Sequence, residues 1–199
     1  MTNILKSIRQ KFPPNFHYLV RQEKNRIDAS LASYFQKSQK KPDDIYFTDA
    51  EKIGWVPEEL PGIFLNETVE AEVADALAAK NGKAIATDFH FENSREQLLR
   101  FELEHLALKN PFYLSKGESR MLWLLTQWIK QPEYFIMGSL NTYLSSKRTG
   151  QLISFFEQLN NKSIKNPTVI LGIGKGESDH RYAPLLKCQN WKVFQEWIE

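Results

Sequence analysis

Short apolar runs alternate with amphipathic ones along this chain, and that alternation is what most restricts its fold. Strands are predicted at Phe16 to Val20, Ile45 to Phe47, Lys52 to Val56, Tyr134 to Met137 and Thr168 to Leu171. Helices are predicted at Asp28 to Lys37, Thr68 to Ala79, Arg95 to Ala107, Lys116 to Lys130, Ser145 to Leu159 and Asn190 to Trp197. A period of two interleaved with a period of 3.6 asks for a wound α/β sheet covered by helices. In Met121-Leu122-Trp123-Leu124-Leu125 and Trp128-Ile129, apolar residues wrap almost the whole circumference, so that helix is buried on most sides. Lys80 to Ser94, with Asn81-Gly82, reads as an irregular connection, and the aromatic run from Trp191 to Ile198 as a terminal helix docked on the core or serving a protein contact.

The 199 residues, 42% of them hydrophobic, suffice for one substantial core. With 26 basic and 24 acidic side chains mixed along the chain, the net charge of +2 favours neither nucleic acid nor an anionic membrane, and no nucleic-acid partner is expected. Cys188 is the single cysteine, which suits a reducing cytosol and leaves no internal disulfide. The segment Leu5 to Lys11 lacks the apolar core of a signal peptide, and no apolar stretch reaches membrane-spanning length. The expectation is a cytoplasmic protein that meets a membrane, if at all, through a partner. His17, His90, His105 and His180 show no metal-ligand spacing with each other or with Cys188, so no metal or other cofactor is expected.

Chemistry concentrates between Ser115 and Gly174. Leu114-Ser115-Lys116-Gly117-Glu118-Ser119-Arg120 precedes an apolar helix, and then Glu133-Tyr134-Phe135-Ile136-Met137 runs into Gly138-Ser139. Upstream stand Ile53-Gly54-Trp55-Val56-Pro57-Glu58 and the stretch Phe64 to Val73; downstream, Thr168-Val169-Ile170-Leu171 leads to Gly174. In order and spacing these segments, over roughly residues 16 to 176, resemble the ATP-binding-cassette (ABC) ATPases. Ser115 to Glu118 resembles the family signature with Lys116 in place of the first glycine, and Ile53 to Glu58 resembles the Q-loop approach with Glu58 in place of glutamine. Gly138 and Ser139 stand where the family has the aspartate that holds Mg²⁺ and the glutamate that polarises water, and Gly174 where it has a phosphate-sensing histidine. The phosphate cradle falls between Tyr18-Leu19-Val20 and the following helix. No glycine lies from Arg21 to Ala29; Ile27 replaces the lysine and Asp28 the Mg²⁺-binding hydroxyl. A carboxylate about 4 Å from a phosphate repels it by one to several kcal/mol.

The resemblance implies a P-loop-NTPase-like sheet core, a small helical subdomain at about residues 66 to 130 within a single domain, and a reduced antiparallel β-subdomain before Glu58. With those motif residues replaced, it also implies a subunit that is not itself an enzyme, one made useful by the family's head-to-tail pairing of domains. Such a chain would offer Ser115, Lys116, Gly117 and Glu118 to ATP held by a catalytically intact ABC ATPase partner, with an integral membrane subunit as a further partner if the complex is a transporter. The alternative is an ABC-fold scaffold that assembles without nucleotide. Plainer readings stand beside these. Ser115 and Glu118 fit a helix capping box, which is compatible with the signature reading. Gly172-Ile173-Gly174-Lys175-Gly176 fits a turn, and Glu58-Glu59 a pair of solvated acids.

Overall fold

The computed structural model describes residues 4–14, 16–21, 27, 29–33, 52–60, 64–140, 142–158, 167–173, 182–188 and 191–194. They fall into two compact units, Met1–Glu58 with Pro132–Glu199, and Glu59–Gln131.

The first unit is built on strands β1 (His17–Arg21), β2 (Ile53–Val56), β3 (Tyr134–Met137), β4 (Thr168–Ile173) and β5 (Trp191–Phe194). They form one sheet in the order β2-β3-β4-β1-β5 with every pair parallel. Every residue of β3 and β4 is buried, as expected of strands covered on both faces. Alternation assigns the faces. Tyr18, Val20, Ile53, Tyr134, Ile136 and Ile170 share one core cluster with Leu5, Ile8 and Phe12 at the chain start and with Ile27 and Leu31. From the other face Phe135 meets Phe156 of a helix at Ser146–Gln158, with ring centroids 6.3 Å apart.

The helix α1 (Ile4–Lys11) is absent from the sequence-based expectation, although Leu5, Ile8 and Phe12 have amphipathic spacing. Its end is anchored by two tyrosines of the sheet. Tyr134 donates its hydroxyl to the Phe12 carbonyl at 3.0 Å, and Tyr18 to the Pro13 carbonyl at 2.8 Å. These bonds satisfy carbonyls that a helix terminus leaves open. Burial, reinforced by the neighbouring Glu133 charge, pushes the Tyr134 hydroxyl up to about 12. Arg9 grips the Glu133 carboxylate through both Nε and Nη2.

The C-terminal expectation needs correction: Trp191 to Phe194 is a strand, paired in register with His17 to Val20 of β1. Trp191 and Phe194 have the spacing of a helix face, but their partners lie across the sheet. Trp191 meets His17 in a tilted pair at 5.1 Å, and Phe194 meets Phe12 at 5.2 Å and Tyr18 at 5.3 Å. Pairing with β1 outweighs a helical preference that is weak for Trp, Val and Phe.

His17 also accepts the Val169 amide at Nδ1, at 3.1 Å. Burial lowers its pKa from 6.5 to about 4. An unfolded chain would take up this proton near pH 6.5 and the folded one only near 4, so stability falls as pH drops through that window. The expected loss is about 3 kcal/mol between pH 6.5 and 4. Urea titrations across that range check it: His17→Gln, which keeps an acceptor but does not titrate, should flatten the dependence.

The second unit holds α2 (Val69–Lys80), α3 (Asp88–Arg100) and α4 (Lys116–Ile129), with two short 3₁₀ turns, Glu104–Leu106 and Pro111–Tyr113, between α3 and α4. Thr68 caps α2 by accepting the Ala71 amide at 3.2 Å. At its end Gly82, with φ +66°, lets the Lys83 amide reach back to the Ala78 carbonyl at 2.8 Å and its own amide to Ala79 at 3.0 Å. The expected helix Arg95 to Ala107 is displaced. It starts at Asp88 because the Thr87 amide donates to His90 Nδ1 at 3.1 Å, a capping box with histidine in the acidic position. It stops at Arg100 because the Leu103 amide turns back to the Leu98 carbonyl at 2.8 Å, with Glu102 at φ 53°. The expected helices Thr68 to Ala79, Lys116 to Lys130 and Ser145 to Leu159 are found to within a residue, the short helix Ala183–Leu186 is not among those expected, and most of Asp28 to Lys37 lies outside the described residues. No described helix is long and apolar enough to cross a membrane.

Candidate functional site

In the first unit Glu58, Gly138 and Ser139 follow the carboxyl ends of β2 and β3, the edge at which a wound sheet binds ligands. Ile27 and Leu31 pack on one face of the sheet and Phe156 on the other. The Ile27 side chain is 0% exposed, inside the α1 core cluster. An apolar core side chain offers no donor to phosphate oxygens. Asp28 and Gly174 lie outside the described residues, as do Ile45 to Phe47 and most of the segment assigned to an antiparallel β-subdomain.

On the β2–β3 side of the sheet, Glu58 and Ser139 are brought together. The Gly138 amide extends the β2–β3 pairing by donating to the Val56 carbonyl at 3.2 Å. The next amide, that of Ser139, donates to Glu58 Oε1 at 3.2 Å. Glu58 is 9% and Ser139 3% exposed, so the solvated-acid reading of Glu58 does not hold. A buried carboxylate needs such donors, and here it ties the segment after β2 to the end of β3. Sequence spacing gives no sign of this contact, because it joins residues 81 positions apart.

The second unit carries Ser115 to Glu118 at the N-terminus of α4. The Ser115 hydroxyl and amide both donate to Glu118 Oε2, at 2.7 and 2.8 Å, and the Glu118 amide donates to Ser115 Oγ at 3.3 Å. The reciprocal capping box is complete. Bonds from the Ser115 hydroxyl and amide hold the Glu118 carboxyl below its ordinary value, helped by the Lys109 and His105 charges. Lys116 and Gly117 occupy the first two helical positions, where amides and macrodipole favour an anion. Ser115→Ala should cost about 1 kcal/mol. A drop of about 2 to 4 °C in the thermal midpoint would register it.

No protein-family model matches the sequence, and no curated protein matches it either. Solved structures do share its architecture. A dimeric ATP-binding cassette in a post-hydrolysis state, bound to ADP and Pi, aligns over 92% of this chain and 82% of its own with a TM-score of 0.64 and 16% identity. The fold is that of an ABC ATPase. The cbiO1 protein from Clostridium perfringens, part of the ABC transporter complex cbiONQ, aligns over 91% of this chain and 74% of its own at 16% identity and TM-score 0.60. An ATP-binding subunit of an ABC transporter gives 90%, 75%, 16% and 0.57. At this identity the likeness speaks to the fold. It corrects the expectation that the chain is not an enzyme: this is a fold on which ATP is hydrolysed, as the ADP- and Pi-bound cassette records, and replaced side chains alone do not establish inactivity.

Proposed function

We propose that this chain is a cassette subunit of an ABC-type assembly that acts in trans: ATP gripped by a partner's phosphate loop is completed by Ser115, Lys116, Gly117 and the amides at the start of α4. The observation that carries this reading is the capped start of α4, with Ser115, Lys116 and Gly117 at its first positions. Ser115 would exchange its bond to Glu118 for one to the γ-phosphate, Gly117 would let backbone approach, and Lys116 would add charge. Ile27 in the core supports placing the phosphates on the partner. The partner is a cassette with an intact phosphate loop. The fold's occurrence in transporter complexes such as cbiONQ supports a membrane subunit as a third component, with the assembly at a membrane's cytoplasmic face.

The test is capture of the tagged protein from its native cells in Mg-ATP, with the accompanying chains identified by mass spectrometry. An ABC protein with an intact phosphate loop is expected; recovery of the chain alone, or with unrelated proteins, would overturn the reading in favour of a scaffold.

A further inference from the structure

Glu70, in the first turn of α2, is 5% exposed and accepts from Arg95 Nε at 2.6 Å. The pair is lopsided, with side-chain exposures of 7% for Glu70 and 72% for Arg95. The buried carboxylate holds the guanidinium by Nε, and among the described residues neither Nη makes a hydrogen bond. An arginine anchored in this way meets a ligand with part of its rotamer freedom already lost, and its outer donors match a carboxylate. Arg95 lines a depression of about 450 Å³ whose exposed apolar surface comes from Ala107 and Leu108, with the buried Leu98 beneath them. One wall is fixed to α2 by the backbone, since the Glu70 amide donates to the Ala107 carbonyl at 2.9 Å and the Val69 amide to Lys109 at 3.0 Å. Leu108, on that wall, is 80% exposed. Lys109 and His105 also line the depression, and so does Glu104, whose charge disfavours a dianion.

We propose that this depression binds a small monocarboxylate with an apolar tail, the carboxylate on Arg95 and Lys109 and the tail on Ala107 and Leu108. The site lies within the helical unit and is independent of the cassette reading. Titration of the ¹⁵N-labelled full chain with hexanoate, followed by NMR, tests it. Saturable shifts at Leu98 and Ala107 to Lys109 are expected, with a dissociation constant on the order of 1 mM. Hexanol and inorganic phosphate should each bind at least about tenfold more weakly, because each lacks half of the match. Arg95→Gln should lose the response; because it also disturbs Glu70, the exposed Leu108→Asp is the second variant and should lose it too. Absence of saturation by about 20 mM hexanoate, equal binding of hexanol or phosphate, or a full response in Leu108→Asp would overturn the proposal.

Discussion

Ile27→Lys, the change that restores the cradle's lysine by the sequence correspondence, is expected to destabilise the sheet unit by about 4 kcal/mol and to confer no nucleotide binding. Ile27 is 0% exposed and shares its cluster with Leu5, Ile8 and Phe12 of the α1 segment and with Tyr18 and Val20 of β1. Replacement removes a buried aliphatic side chain worth roughly 1.5 to 3 kcal/mol and inserts an ammonium group among apolar neighbours. The amine must then deprotonate or drag its surroundings open, and either route adds cost. Against a domain stability of about 5 to 15 kcal/mol that is a large fraction. Ile27→Val, which leaves only a small void, should cost about 1 kcal/mol. Urea unfolding of the three proteins reads this directly. If Ile27→Lys were as stable as the parent and bound ATP, position 27 would face a nucleotide and not the core.

The same residue shows where sequence reasoning reaches and where it stops. Ile27 is identified by position after β1, but that its side chain faces α1 follows from a helix whose amphipathic pattern, eight residues long, carried too little signal to be predicted. Tyr134 to Met137 is legible to the residue because a fully buried parallel strand leaves an uninterrupted apolar run. Trp191 to Phe194 misleads for the opposite reason: two aromatics three apart suit a helix face, and only the proximity of His17, Phe12 and Tyr18 selects a strand. The start of α3 is hidden because histidine, not glutamate, closes its capping box. At the candidate site, the Ser115–Glu118 cap is local and therefore readable, whereas Glu58 with Ser139 and Glu70 with Arg95 depend on tertiary folding.

Gly117→Arg should lower ATP turnover by the captured complex about 100-fold, the scale on which positioned donors to a transition-state charge act. Gly117 is the second residue of α4, beside the capping pair Ser115 and Glu118. Arginine is a better helix former than glycine by up to about 1 kcal/mol, so α4 itself should be no less stable in the variant. What the arginine changes is access: its side chain stands between the helix amides and any phosphate that must approach them. Ser115→Ala leaves the approach open and removes one hydroxyl, so its effect on turnover should be the smaller of the two. Turnover and co-purification have to be measured on the same preparations, because a complex that no longer assembles would also lose activity. A drop in turnover with assembly and thermal midpoint preserved is the expected result. Unchanged turnover by an intact complex would mean that the start of α4 never meets the partner's nucleotide, and the capping box would then be a helix cap alone.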